Sequence, residues 1–321
     1  MSFNEILSTV ADDFAAVDHF ITHHLDSRVP LIMQVSQYLV EGGGKRLRPL
    51  VCLLSARATG YHEGNAHILS SAIIEMLHTA TLIHDDVVDE SDLRRGRATV
   101  NSAWNNATAV LVGDFLISRA FQLIVSLKSQ AISEIMSDST CIVAEGEVLQ
   151  LINQRDPNTT EKRYMDVIYS KTAQLFVAAT ETGAELGNPI YRPAMKAYAI
   201  HFGAAFQIID DIMDYTSSAE EMGKNVGDDL AEGKPTLPLI QAIKTSATDK
   251  AQLIKDAIKT GGLDHLHEIL AIVKESGALD YCMQRACEES QLAIDALAPL
   301  PESKYKTALI ELAKLALKRT S

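Results

Sequence analysis

Apolar residues recur at helical spacing along nearly the whole chain. Phe3, Leu7, Val10, Phe14, Val17 and Ile21 alternate steps of four and three, which places one apolar stripe along a helix. The same period returns through 31–41, 49–60, 66–91, 106–127, 130–153, 162–187, 193–216, 236–244, 249–260, 263–275, 278–297 and 303–318. No convincing alternating pattern of the strand kind interrupts it. The segments are divided by short breakers: Gly42-Gly43-Gly44, Arg95-Gly96, Asp156-Pro157-Asn158, Gly187-Asn188-Pro189, Gly233-Lys234-Pro235, Gly261-Gly262 and Pro299-Leu300-Pro301. None has the composition of a flexible linker, and no internal repeat is evident. The pattern predicts an all-α fold: a single large bundle of about a dozen helices forming one domain over 1–321.

Composition narrows the partners. The 321 residues include 29 Lys+Arg against 42 Asp+Glu, for a net charge of −13, with 47% apolar residues. That balance disfavours nucleic acid, whose binders carry surplus cations, and electrostatic docking on anionic lipid. Cys52, Cys141, Cys282 and Cys287 show no Cys-x-x-Cys spacing and read as buried free thiols of a reducing compartment. The N-terminus lacks a basic, apolar leader, and no apolar run approaches the ~20 residues of a membrane span. The expectation is a cytoplasmic protein.

The chemistry concentrates in two copies of Asp-Asp-x-x-Asp, Asp85-Asp86-Val87-Val88-Asp89 and Asp210-Asp211-Ile212-Met213-Asp214, each at the end of an apolar helical run. First and fifth positions of such a motif lie one turn apart on one helix face, where two carboxylates repel unless a cation sits between them. Oxygen ligands without His or Cys companions suit Mg²⁺, which completes its shell with water and substrate phosphates. Cations accompany both motifs. Lys45, Arg46 and Arg48 stand in Gly43-Gly44-Lys45-Arg46-Leu47-Arg48-Pro49, where Pro49 is placed to open a helix. Arg94-Arg95 follows the first motif, Lys171-Thr172 precedes an apolar stretch, and Lys224 and Lys234 follow the second motif. Together they read as a Mg²⁺–diphosphate cradle. N-terminal to Asp85 the helix is greasy and small, with Ile74, Leu77, Ala80 and Thr81, so an apolar tail attached to the diphosphate has a path past it. His84 reads as a packing residue.

GGGKRLRP, LIHDDVVDESDLRRG, AEGEVLQL, YSKTAQLF, FQIIDDIMD and GKNVGDDLAEGKPTLPL, in this order from about residue 30 to the C-terminus, resemble the trans-polyprenyl diphosphate synthases. The resemblance implies the isoprenoid synthase fold with a central active-site cavity, a homodimer, about three Mg²⁺ per site, and repeated head-to-tail addition of isopentenyl diphosphate to an allylic diphosphate. It assigns Asp85, Asp86, Asp89, Asp210, Asp211 and Asp214 to metal. Lys45, Arg48, His78 and Arg95 go to isopentenyl diphosphate. Arg94, Lys171, Thr172, Gln207, Lys224 and Lys234 go to the allylic diphosphate. Phe206 stands where many members of the family have Gly.

In this family, aromatic residues four and five positions before the first motif stop elongation early. Here they are Thr81 and Ala80, so a farnesyl primer should grow to about C40, a quinone side chain, until Leu77, Phe115, Phe121, Leu123 or Met136 ends it. A shorter-chain synthase is the nearest alternative. A terpene cyclase and a non-catalytic helical subunit of a prenyl synthase are further ones. The C-terminal KTALIELAKLALKR reads as a packed bundle helix, with transient membrane contact during product release as its alternative. Six of the thirteen surplus negative charges lie in the two Asp triplets, so bound Mg²⁺ reverses the local sign for a small diphosphate.

Overall fold

The computed structural model describes residues 1–216 and 227–320. It is all-α apart from one small hairpin. In chain order the helices are α1 Phe3–Ser8, α2 Ala11–His24, α3 Pro30–Glu41, α4 Leu47–Ala58, α5 Ala66–Val88, α6 Val100–Ala103, α7 Asn106–Ser126, α8 Gln130–Asn153, α9 Glu161–Val167, α10 Gln174–Gly187 and α11 Arg192–Thr216. They continue with α12 Asp228–Ala231, α13 Leu237–Thr245, α14 Thr248–Thr260, α15 Leu266–Glu275, α16 Ala278–Ala296 and α17 Lys304–Ala316. The chain folds into two compact units. One comprises 1–140, 175–197 and 296–312, and the other 141–174, 198–295 and 313–321. The dividing points fall inside α8, α10, α11, α16 and α17 rather than in the breakers, so neither unit is a sequence-contiguous domain.

The first unit is built around α5, which packs against α2, α4 and α7. Its fully buried side chains include Ile6, Leu50, Leu53, Leu54, Ile73, Ile74, Ile83, Leu116 and Phe176. By length and composition α5 and α7 each reach what a membrane span needs, contrary to the reading that no segment does. In α5 the reason is burial: a helix covered on most sides is apolar on most sides. Small residues bring α4 and α10 close together. A Cβ on Gly183 would stand 2.6 Å from the Ser55 Cβ and 2.7 Å from the Ala56 nitrogen, and the Thr59 hydroxyl donates to the Gly183 carbonyl at 3.3 Å.

The second unit has two apolar clusters. In one, Ile208, Ile209 and Ile212 of α11 meet Tyr164, Met165, Ile168, Leu237 and Ile240. In the other, Tyr215, Leu230 and Leu239 meet Ile254, Ile258, Ile269 and Val273. Phe206 leaves α11 helical, and its ring lies 6.3 Å from that of Phe202. In the first unit's part of α17, Ala308, Leu309 and Leu312 are buried, as expected for a packed helix.

Three departures from the predicted pattern have local causes. The first stripe breaks after Ser8, because the Ser8 and Thr9 hydroxyls turn back to the Glu5 and Ile6 carbonyls and Val10 leaves the helical region at φ −133°. Leu93–Arg94 and Arg97–Ala98 form an antiparallel pair too short to show alternation. Its two turn residues, Arg95 and Gly96, both have positive φ (53° and 71°), as a tight hairpin turn of matching twist requires. The helix predicted over 162–187 is interrupted by a π-helical turn at Ile168–Ala173. In addition, only Cys52 and Cys282 are buried, whereas Cys141 and Cys287 are exposed; all four are free.

Gly183→Ala should destabilise the fold by about 1–3 kcal/mol, because the backbones of α4 and α10 have no room for the methyl group. Urea unfolding followed by circular dichroism checks this; an unchanged midpoint would contradict the close packing.

Candidate active site

In the first unit, Asp85 and Asp86 occupy the last turn of α5 and Asp89 is its C-terminal cap, with the Asp89 amide donating to the Asp85 carbonyl at 2.8 Å. A helix C-terminus is the negative end of the macrodipole, so three carboxylates there are unfavourable without a cation. Asp86 is buried; its Oδ1 accepts a hydrogen bond from Arg94 Nε at 2.8 Å and forms an ion pair with Arg94 Nη2 at 2.7 Å. Burial, with the charges of Asp85 and Asp89, pushes the Asp86 carboxyl above its usual range against the pull of Arg94. The segment after the motif is fastened. Thr99 Oγ1 and Asn101 Nδ2 donate to the Ser91 carbonyl at 2.7 and 3.1 Å, and Ser102 Oγ to Asp92 Oδ1 at 2.7 Å.

A cluster of cations adjoins this segment within the same unit. α4 begins at Leu47, two residues before Pro49, after Arg46 in the left-handed region at φ 44°. Arg48 in its first turn lies 2.9 Å (Nη1) from His78 Nε2 and stacks its guanidinium 4.4 Å above the Phe176 ring. Burial lowers Arg48 to about 10. Burial and the neighbouring Arg48, Arg95 and Arg94 hold His78 well below the usual histidine range, so its ring is a neutral hydrogen-bonding group. Arg95 donates to the Gly43 carbonyl, and a Cβ on Gly44 would overlap the Arg95 guanidinium. Gly44 (φ 145°) thus serves both the turn and the seat of Arg95. Lys45 is exposed on the same turn. His84 packs as expected: its Nε2 lies 3.1 Å from the Val110 carbonyl, and any Cβ on Gly113 would strike its ring.

In the second unit, Asp210, Asp211 and Asp214 lie near the C-terminal end of α11. Asp211 and Asp214 are buried. Both oxygens of Asp211 are taken by neutral donors, Tyr164 Oη at 2.5 Å and Gln207 Nε2 at 2.7 Å, and Thr172 Oγ1 donates to Gln207 Oε1 at 3.1 Å. Burial and the charge of Asp229 push Asp211 well above the usual carboxylate range. Asp214 accepts from the Asp229 amide at 3.3 Å.

The π-helical turn that carries Lys171 and Thr172 lies against α8: a Cβ on Gly146 would stand 2.7 Å from the Lys171 nitrogen. Glu147 binds Lys171 Nζ at 2.6 Å. Lys234 pairs with Glu232. Lys224 lies outside the described residues.

Sequence reasoning named the carboxylates and cations but missed Tyr164 and Glu147, which hold Asp211 and Lys171, and Glu75, which shares a cavity wall with Arg95. Glu147 sits inside the quoted AEGEVLQL stretch, and Glu75 is a lone acid in an apolar helix three residues before His78; both signals were available. Among the proposed chain-length residues, Ala80, Leu77 and Met136 are buried, and Thr81, Phe115 and Leu123 half-buried. Phe121 is 40% exposed, so it does not stand in the interior of this chain.

Among the described residues no three His, Cys, Asp or Glu groups converge as a metal cage. The motif carboxylates are hard oxygen donors, a kind that fits Mg²⁺, which takes one or two carboxylates and completes its octahedron with phosphate oxygens and water. Carboxylates at two helix C-termini, each followed by guanidinium or ammonium groups, are the equipment of an enzyme that handles a polyanionic phosphate ester through a divalent cation. The comparisons with known proteins agree. The polyprenyl synthetase family model matches residues 29–275. An all-trans-nonaprenyl-diphosphate synthase (geranyl-diphosphate specific) of Rhodobacter capsulatus is 56% identical, over 98% of this chain and 97% of its own. An octaprenyl diphosphate synthase of Escherichia coli is 50% identical over 99% of both chains. A polyprenyl synthase of Caulobacter crescentus, solved with calcium and isoprenyl diphosphate, superposes with a TM-score of 0.95 at 39% identity, covering 100% of this chain and 98% of that one. The chain belongs to the polyprenyl synthetase family. Its activity is that of a trans-polyprenyl diphosphate synthase, a prenyltransferase of isoprenoid biosynthesis.

Gly146→Ala should push α8 off the Ser170–Lys171 backbone and misplace Lys171 and Thr172 together. Steady-state kinetics should then show a KM for the allylic diphosphate raised by about tenfold, the scale of a small misplacement at a binding group. An unchanged KM would argue that the π-helical turn is held from elsewhere.

Proposed function

We propose that the enzyme extends a farnesyl diphosphate primer with isopentenyl diphosphate to an octaprenyl (C40) product that serves as a quinone side chain. The coarser activity follows from family membership. The observation that carries the longer product is Ala80, buried and small, five residues before Asp85 on α5. At ~1.5 Å per residue it lies about 7.5 Å from the carboxylate end, where a growing tail passes. Leu77, Phe115, Leu123 and Met136 are the residues that end growth. The octaprenyl synthase among the relatives supports C40. The nonaprenyl synthase, specific for geranyl diphosphate, supports a second reading with a C10 primer and a C45 product.

Asp85, Asp89 and Asp210 hold Mg²⁺ in this reading. Asp86 and Asp211, each already held by Arg94 or by Tyr164 and Gln207, steady the motifs, and Asp214 supports the second. About three bound Mg²⁺ supply positive charge to the departing diphosphate. Arg94, Lys171, Thr172, Gln207, Lys224 and Lys234 bind the allylic diphosphate. Lys45, Arg48, His78 and Arg95 orient isopentenyl diphosphate so that its double bond faces the allylic carbon as the C–O bond breaks. The new C–C bond forms with loss of a proton to the released diphosphate, and no side-chain nucleophile is required.

The enzyme is a cytoplasmic, single-domain protein that works as a homodimer. The exposed apolar face of α7, with Val110, Leu111, Phe121 and Val125, supports pairing with a second copy.

Purified enzyme with labelled isopentenyl diphosphate and either farnesyl or geranyl diphosphate should elongate only with Mg²⁺, giving mainly C40 from farnesyl diphosphate. Asp85→Ala and Asp210→Ala should each lower kcat by 10²-fold or more, about 2.7 kcal/mol of transition-state stabilisation; near-normal turnover in either would defeat the metal assignment. Ala80→Phe should shift the product to C15–C20, read by chromatography, and an unchanged length would place the tail elsewhere.

A further inference from the structure

Glu75 is a half-buried acid with no part in the site as described so far. It sits on α5 three residues before His78, so the two lie on neighbouring parts of the helix surface. Its Oε2 is shielded from solvent and has no hydrogen-bond partner, and the same is true of Arg48 Nε. The charged groups that bear on it come from three other elements: Arg48 and Arg46 at the start of α4, Arg95 in the hairpin turn, and Asp18 on α2. His78, on its own helix, is held neutral. Arg46 is paired with Asp18. Among the described residues Arg95 donates to the Gly43 carbonyl, and Arg48 lies against His78 and the Phe176 ring. Glu75, Arg46, Arg95 and Gly43 all line one cavity of the first unit, together with Tyr38 and Thr79. So Glu75, Arg46 and Arg95 face a common space, and Arg48 stands behind its wall against His78 and the Phe176 ring.

A buried carboxylate without a direct partner is costly unless surrounding charge compensates it. Here the compensation is mutual. Burial depresses both Arg48 and Arg95, the charge of Arg95 adds to it at Arg48 and those of Arg94 and Arg46 at Arg95, and Glu75 opposes the depression in both.

We propose that Glu75 is a positioning residue that stands in for the isopentenyl diphosphate: its carboxylate keeps the Arg48–Arg95 pair gathered while the substrate is absent, and it yields that role when the substrate's diphosphate arrives. The inference rests on Lys45, Arg48, His78 and Arg95 being the isopentenyl diphosphate site. It has two consequences. Without Glu75's charge the ligand-free enzyme holds uncompensated guanidinium groups and loses stability. With the diphosphate bound, the missing charge is replaced, and a nearby anion no longer competes with it.

The test is thermal unfolding of wild type, Glu75→Gln and Glu75→Asp, with and without isopentenyl diphosphate in metal-free buffer, followed by initial-rate kinetics with Mg²⁺. Wild type should gain Tm with isopentenyl diphosphate. Glu75→Gln should melt lower than wild type without ligand, and saturating isopentenyl diphosphate should close most of that gap. Its KM for isopentenyl diphosphate should fall by about fivefold, the lower end of typical coupling between sites, with the KM for the allylic diphosphate unchanged. Glu75→Asp, which keeps the charge, should behave like wild type. If wild type itself gains no Tm from isopentenyl diphosphate, the site assignment fails. If wild type responds but the Glu75→Gln gap is absent or stays open with ligand, or both KM values move together, the role of Glu75 is overturned. If Glu75→Gln does not fold, a Glu75→Asp variant that shows the wild-type ligand response upholds the need for charge, and one that loses it overturns the proposal.

Discussion

Acidic side chains at the C-terminal ends of two long helices are the constraint to which both units answer. Every carboxylate in the last turns of α5 and α11 adds to the negative pole of a macrodipole, and Asp86, Asp211 and Asp214 do so from buried positions. A protein selected for stability alone would place lysine or arginine there. The two units relieve the same strain by different means. At α5 the guanidinium of Arg94 meets Asp86 with one hydrogen bond and an ion pair. At α11 no cation is among the donors that hold Asp211; a phenol and an amide hold it instead. Burial raises the proton affinity of both carboxyls; at Asp86 the charge of Arg94 opposes it, whereas at Asp211 the charge of Asp229 adds to it. Asp86 and Asp211 are thus held by side chains of the protein, which steadies the turn that carries each motif.

The cations follow a complementary rule. Lys171 is held by Glu147, Lys234 by Glu232, Arg48 by an imidazole and an aromatic ring, and Arg95 by a backbone carbonyl. Long basic side chains lose much rotamer freedom when a ligand immobilises them. Partners that hold them before the ligand arrives reduce that loss, and weak partners such as a carbonyl or a neutral imidazole are readily outcompeted by a diphosphate. Glycine supplies the room: Gly44 admits Arg95 and Gly146 admits the Lys171 backbone. These are positions where a methyl group would displace a functional cation rather than merely crowd a core.

The sequence was most legible where one physical signal repeats. Amphipathic period located nearly every helix, since burial of one face recurs over many turns. The doubled aspartate motif and its attendant cations were legible because like charges one turn apart contradict helix stability and demand an outside explanation. Illegible features were those decided by a single contact. The hairpin at 93–98 is two residues a side and has no period to display. The break after Ser8 turns on two hydroxyls bonding backward. The π-helical turn leaves the apolar spacing of YSKTAQLF intact while shifting which side of the helix Lys171 and Thr172 face. Tyr164 and Glu147 read as an ordinary core aromatic and surface acid until Asp211 and Lys171 are placed beside them. Phe121 shows the converse: an aromatic in an apolar run was read as interior, yet α7 turns it to the surface.

In the proposed function one rigid helix carries both the groups assigned to the head group and those assigned to the tail. On α5, His78, Asp85 and Asp89 cluster on one side. Glu75, Thr79, Leu82 and Asp86 run along a side roughly a quarter-turn away, and Leu77 and Ala80 face a third direction, by the helix's 100° step per residue. A helix buried against α2, α4 and α7 cannot slide or twist to relax one of these faces without moving the others. The spacing between the carboxylates and Ala80 is therefore a fixed length. In the proposed reading the alanine at that position leaves the path open, and growth ends where a bulkier residue closes it. Chain length in such a bundle is a property of packing between helices, whereas the chemistry at the diphosphate is a property of single helix ends. That separation lets relatives 50–56% identical to this chain carry names with different product lengths while the chain retains every residue of both aspartate motifs.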